Sequence, residues 1–243
     1  MPNPVAFTIF NMDIRWYAIL ITVGMLLALA LSYRNAPRHG IEKDNLLDLF
    51  LVIIPAGIIG ARLYYIFFSW DYYSQHLNEI ISIRNGGLAI HGGLLFGIIG
   101  GYILCRIKKI KVLEMTDLVF PNVALAQAIG RWGNYFNGEA HGGPTDLPWG
   151  IMVDGVKVHP TFLYESLWCA GLFIVLTCLD KKSHFVGKIT CLYGILYSLE
   201  RFFVEGLRTD SLMIGPFKQA QLLSLIVIIV AIVAYSILKK RDK

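Results

Sequence analysis

Apolar residues gather along this chain in long unbroken runs, and seven of them approach the roughly 20 residues a helix needs to cross a bilayer. They lie at about 16–33, 46–69, 88–105, 115–132, 162–179, 189–203 and 222–238. Continuous runs without apolar–polar alternation predict helices, because a lipid-facing strand has to alternate. Polar residues dilute two of them: Asp117, Asn122 and Gln127 in the fourth, Glu200 and Arg201 in the sixth. The longest interruption, 133–161, carries Gly138, Gly142, Gly143, Pro144, Pro148 and Gly155. Within it PWGIMVDGVKVHP reads as a strand, an Asp-Gly turn and a second strand. The predicted fold class is an all-α polytopic membrane protein of seven transmembrane helices with a small extracytoplasmic cap at 133–161. Residues 1–243 read as one integral-membrane domain, and 70–87, with Asp71, Tyr72, Tyr73 and His76, reads as an interfacial flap.

Composition sharpens this. The chain has 243 residues, 56% of them hydrophobic and 16% charged, with a mean hydropathy of +0.57, which excludes an ordinary soluble domain. A net charge of +5 raises nucleic acid as a partner, but the distribution of the charge argues against it. Basic residues collect after alternate runs: Arg34, Arg38 and Lys43; Arg106, Lys108, Lys109 and Lys111; Lys181, Lys182 and Lys188; then Lys239, Lys240, Arg241 and Lys243. The other connections hold Arg84, Lys157, Arg208 and Lys218. Positive residues stay inside, so the N-terminus is expected outside and the C-terminus in the cytoplasm. MPNPVAFTIFNMD lacks a basic start and a small-residue cleavage site, so the first run is expected to be retained. Cys105, Cys169, Cys178 and Cys191 form no CxxC pair and read as small apolar side chains rather than a disulfide or zinc framework.

On this topology Tyr17, Arg62, His91, Arg131, Asn134, Glu165, Arg201 and Glu205 all fall toward the outer face, which suggests one outward-facing site. An arginine near mid-membrane costs about 2.5 to 3.5 kcal/mol on insertion scales, so Arg62 and Arg131 call for a partner or a ligand. Tyr197, Arg201, Glu205 and Arg208 are spaced four, four and three apart and share one helical face. Plainer readings stand beside these: Trp16 and Tyr17 as interfacial anchors, Arg201 and Glu205 as a structural ion pair, His91 as a structural histidine among glycines. A transporter would extend polar residues to the cytoplasmic side and often carry an inverted repeat. An intramembrane protease would need a G-x-S-x-G elbow or an H-E-x-x-H pair, and the chain has neither.

The stretch GRWGNYFNGEAHG, Gly130 to Gly142, resembles the signature of the bacterial prolipoprotein diacylglyceryl transferases, departing at Tyr135, where that family usually has phenylalanine. The change keeps the ring and adds a hydroxyl. The resemblance extends to WY at Trp16 and Tyr17, GARLYY from Gly60, GGLAIHGGL from Gly86, HPTFLYE from His159 and YSLERFFVEGLRTD from Tyr197. It implies transfer of the diacylglyceryl group of phosphatidylglycerol to the lipobox cysteine thiol in the signal peptide of a preprolipoprotein. The products are a thioether and glycerol phosphate, and the transfer is the first step of lipoprotein maturation. The implied setting is the bacterial cytoplasmic (inner) membrane, with the active site on the extracytoplasmic side, membrane lipid as surroundings and donor, and neither metal nor cofactor. Arg131 and Arg201 would hold the phosphate and stabilise the charge gained by the leaving group. His91 would act as base or positioner for the thiol, whose ordinary pKa of about 8.5 leaves little thiolate at neutral pH. Tyr17, Asn134 and Asn137 would orient the headgroup, Glu139 and Glu205 would hold the arginines, and Gly142 would set a turn in the cap. Tyr197 and Arg208, on the face of Arg201, complete the expected substrate-binding set.

Overall fold

A computed structural model describes residues 2–82, 86–182 and 185–242. In chain order it runs β1 (Val5–Ile9), β2 (Met12–Arg15), α1 (Trp16–Asn35), α2 (Lys43–Phe68), α3 (Trp70–Tyr73), α4 (Ile90–Ile107), α5 (Val112–Asn137), β3 (Ile151–Val153) and β4 (Val156–Val158). It continues with α6 (Thr161–Asp180), α7 (Lys188–Leu207), β5 (Met213–Ile214), β6 (Phe217–Lys218) and α8 (Gln219–Arg241). All three strand pairs are antiparallel two-stranded hairpins. The Asp154–Gly155 turn between β3 and β4 has both residues at positive φ, 48° and 81°, the geometry a two-residue hairpin needs.

Each apolar run has become a helix. Among the described residues, six helices are long and apolar enough to cross a membrane: those of α1, α2, α4, α5, α6 and α8. Helix α7, at 20 residues, equals α6 in length but carries Glu200, Arg201 and Glu205 on its later turns. Helix α5 runs five residues past its expected end at 132, to Asn137. Nothing in WGNYFN breaks a helix, and the chain turns at Gly138, which adopts a φ of 68°.

The chain divides into two units. The first comprises residues 1–32 and 116–243. Ala124, Leu172, Leu176 and Ile189 form its apolar core, with Phe173, Leu192, Tyr193 and Leu196 packed around them. The polar residues that dilute the fourth run find partners here. The buried carboxylate of Asp117 accepts the backbone N–H groups of Gly187 and Thr190 at 2.6 and 2.7 Å, capping the start of α7 where free N–H groups attract an anion. Asn122 donates to Ser32 Oγ at 2.8 Å, and Tyr193 donates to Gln127 at 2.9 Å. Each residue that weakens the helix as a membrane span is a tie to another helix.

The second unit is residues 33–115. Helices α2 and α4 cross through glycines: a Cβ on Gly60 would run into Phe96 and the carbonyl of Gly92, and one on Gly92 into the carbonyl of Gly60. Buried Arg62 finds its partners within this unit. Its guanidinium donates to the carbonyls of Glu79, Ile80, Gly86 and Gly87 at 2.6 to 3.1 Å and lies 5.1 Å from the Tyr73 ring centroid. The cost of burying it is offset by backbone acceptors, and its effect is to hold the chain that follows α3.

Candidate functional site

Three helices of the first unit build the site. On α5, Trp132 packs edge-on against Phe162 of α6, with ring centroids 5.4 Å apart, and its indole N–H donates to Ser166 Oγ at 3.1 Å. Tyr135 stacks on the same Phe162 at 4.8 Å. These contacts lock α5 to α6 within about one turn of Arg131 and Glu165. On α7 the four-residue spacing stacks Tyr197, Arg201 and Glu205 along one face.

Glu165 sits at the centre with no exposed surface. Its two oxygens part company: Oε2 lies 3.2 Å from Arg131 Nη1, and Oε1 accepts from Arg201 Nη1 at 2.9 Å. Arg201 Nη2 also lies 2.6 Å from Glu205 Oε2, and Arg131 Nη2 reaches the Tyr197 hydroxyl at 3.5 Å. The result is two guanidinium groups fixed side by side by two carboxylates, each arginine side chain still about a fifth exposed, at 20% and 23%. A guanidinium carries five N–H donors, so both retain donors for an incoming anion. Such an arrangement binds a phosphate or carboxylate and stabilises negative charge that develops on it.

Tyr17 opens α1 against this helix group. A Cβ on Gly133 would come within 2.6 Å of the Tyr17 ring, so the second glycine of GRWGN is the space in which that ring lies. Trp16 stacks on Phe136 at 5.2 Å. Asn134 and Asn137 both donate to Glu139 Oε1, at 3.1 and 3.0 Å. The expected role of Glu139 is therefore corrected: it holds the two asparagines rather than an arginine, because the turn at Gly138 folds it back over the end of α5. Glu205 holds Arg201, as expected.

The role of Gly142 is also redrawn. Its backbone forms a bridge to Arg208 and donates to the His159 carbonyl at 2.9 Å, and an added Cβ would stand 2.7 Å from His159 Cβ. Close approach of three chain segments, rather than a turn, requires glycine there. Arg208 forks onto Asp210, at 2.9 and 2.7 Å, and that hydrogen bond holds the Asp210 carboxyl below the usual carboxylate range. His91 belongs to the second unit, exposed at the first turn of α4, its ring centroid 6.2 Å from that of Tyr64.

Two contributors escaped the expected set. Glu165 was visible in HPTFLYE as an outer-face carboxylate, but nothing in the sequence says that it bridges both arginines. Lys218 is the other: its ammonium donates to the carbonyls of Glu205, Gly206 and Arg208, satisfying the free end of α7 just beyond Arg201. Among the described residues, no group of three or more His, Cys, Asp and Glu side chains is placed to hold a metal ion.

The sequence model of the family described as prolipoprotein diacylglyceryl transferase matches residues 4–237. A protein named phosphatidylglycerol–prolipoprotein diacylglyceryl transferase from Clostridioides difficile (strain 630) is 55% identical over 239 residues, covering 98% of this chain and 96% of its own. Proteins of the same name from Finegoldia magna and Clostridium novyi are 50% and 49% identical, covering 98% and 95% of this chain and 96% and 94% of theirs.

Proposed function

The chain belongs to the prolipoprotein diacylglyceryl transferase family, and we propose that it uses the arginine pair Arg131 and Arg201 to hold the phosphate of phosphatidylglycerol while the diacylglyceryl group is transferred. The acceptor is a prolipoprotein, and the reacting atom is the thiol sulfur of its lipobox cysteine. Sulfur bonds to the glyceryl carbon that carries the phosphate ester, the carbon–oxygen bond breaks, and glycerol phosphate leaves with one more negative charge as the thiol proton departs. The observation that carries this reading is the Glu165 bridge, which fixes two guanidinium groups on the two oxygens of one carboxylate with donors to spare. Charge grows on the phosphate oxygens as the bond breaks, so fixed cations stabilise the transition state more than the bound donor.

The other residues follow from this centre. Tyr17, Asn134 and Asn137 offer neutral hydrogen bonds to the headgroup, with Glu139 orienting the asparagines. Tyr197 contributes its hydroxyl beside Arg131, Glu205 keeps Arg201 in place, and Gly142 and Arg208 join the cap to the end of α7. His91 serves the thiol as base or positioner; imidazole titrates in the range where a thiol needs help. No metal or cofactor enters the scheme.

In the membrane, α7 is the seventh span beside the six apolar ones, its charged face turned to protein rather than lipid, and the odd count agrees with the alternating basic loops. The N-terminus lies outside and the C-terminus in the cytoplasm. The chain is a single domain in the bacterial cytoplasmic membrane, with 133–161 as an extracytoplasmic cap, 70–87, of which 83–85 lie outside the described residues, as an interfacial flap, and the site on the extracytoplasmic side. The test is transfer in detergent micelles from phosphatidylglycerol to a lipobox peptide. Arg131→Ala and Arg201→Ala should each abolish transfer in folded protein, and Arg131→Lys should be poor because an ammonium lacks the planar fork. Full activity in both alanine variants would remove the phosphate assignment.

A further inference from the structure

One carboxylate of the site has no role in this scheme. Glu200 lies on α7 next to Arg201 and is 4% exposed, and neither of its carboxylate oxygens has a hydrogen-bond partner among the described residues. Its electrostatic neighbours are Arg131 on α5, Glu165 and Cys169 on α6, and Tyr197 and Arg201 on its own helix. The buried carboxylate of Asp117 is treated differently: two backbone N–H groups and a threonine hydroxyl converge on it. Glu200 has been given nothing of the kind.

Counting charge explains the contrast. Arg131 and Arg201 are already balanced by Glu165 and Glu205, which touch them directly. A phosphodiester brings one negative charge into this neutral group. An ionised Glu200 would bring a second, buried, without hydrogen bonds and close to the first, in surroundings where repulsion between like charges is poorly screened. A neutral carboxylic acid avoids both penalties and adds an O–H donor.

We propose that Glu200 sets the charge of the arginine site: the pair accepts a phosphodiester anion while Glu200 holds a proton, so that donor capture and proton uptake by Glu200 are one linked event. The linkage is reciprocal, since whatever favours the proton favours the anion by the same factor. Donor affinity in this protein therefore falls as pH rises through the titration of Glu200, while activation of the acceptor thiol runs the other way. Glu200 acts through the arginines as a positioning residue. The inference rests on the reading of Arg131 and Arg201 as the phosphate site.

The experiment is the apparent KM for phosphatidylglycerol and kcat of the full chain in micelles, measured from about pH 6 to about pH 9 at saturating lipobox peptide. Wild-type KM should be flat at low pH and then rise by about tenfold per pH unit, the slope of a single linked proton. Glu200→Gln, which matches the shape of the neutral acid, should keep a low, flat KM across the range with the same kcat profile as wild type. Glu200→Met, neutral without an amide, should give the same flat profile, so failure of one variant to fold leaves the other to decide. A Gln or Met variant whose KM tracks wild type at every pH overturns the proposal, as does one whose KM is raised throughout. Arg131→Ala and Arg201→Ala separate the two layers, read by equilibrium binding of phosphatidylglycerol in the same micelles because transfer is lost. If they leave donor binding unchanged, the phosphate assignment falls; if they weaken it while Glu200→Gln tracks wild type, the proton linkage alone falls.

Discussion

Replacing Glu165 by glutamine tests the centre of the site with little change in volume. The side chain has no exposed surface, so the substitution opens no cavity and admits no new water contact. Its effect is confined to charge and hydrogen-bond sense. A carboxamide offers one acceptor oxygen and one NH2 group, whereas Arg131 and Arg201 each draw on a different oxygen of the carboxylate. Whichever way the amide turns, one guanidinium loses its partner and faces a donor, and two positive charges are left with Glu205 alone. Removing one partner of a buried ion pair costs about 3–5 kcal/mol. Both arginines keep about a fifth of their surface in contact with solvent, which screens part of this, so the expected loss of stability is about 2–3 kcal/mol. The kinetic effect follows from misaiming one donor at the charge that develops on the leaving phosphate, worth about 10²–10³ in kcat. The assay pairs kcat for transfer to a lipobox peptide with thermal unfolding in the same detergent. Glu165→Asp, charged but one methylene shorter, should fall between glutamine and wild type in both. A Glu165→Gln enzyme within about twofold of wild-type kcat, with an unchanged melting temperature, would refute the bridge as the element that organises the arginines.

Two further outcomes follow from the place where Gly142 bridges to Arg208 at the end of α7. Gly142→Ala places a methyl 2.7 Å from His159 Cβ and 3.1 Å from the Leu207 carbonyl, and should destabilise by about 1–3 kcal/mol, seen as a lower melting temperature and faster proteolysis within 138–160. The Arg208–Asp210 fork gives a pH dependence of known sign: the carboxyl of Asp210 is held below its unfolded value, so its contribution is fully present above about pH 4 and is lost as pH falls through the folded value. Wild type should therefore lose more stability than Asp210→Asn between about pH 5 and about pH 3, as followed by thermal unfolding, and identical curves would show the fork to be inert.

Much of this molecule was legible in one dimension. Helix formation in a membrane depends on the length of an apolar run, because a backbone in lipid has to satisfy its own hydrogen bonds, and each of the seven runs became a helix. The Asp-Gly turn specified its hairpin for an equally local reason, the tolerance of those two residues for positive φ. The spacing of Tyr197, Arg201 and Glu205 placed them on one face, and the Arg201–Glu205 pair follows from that spacing alone. What the sequence could not determine was the choice of partner between helices. Glu139 and Glu165 are both carboxylates near the ends of their helices, yet one turned to two asparagines and the other to two arginines, because the turn at Gly138 and the packing of Trp132 and Tyr135 on Phe162 aim them differently. Arg62 and Arg131 carry the same side chain in similar surroundings, and only the fold gives one to backbone carbonyls and the other to a carboxylate. A charge in a low-dielectric interior is governed by whatever lies within a few ångströms of it, and those neighbours come from residues tens of positions away in the chain. Composition and periodicity carry no record of that distance, and tertiary packing decides it.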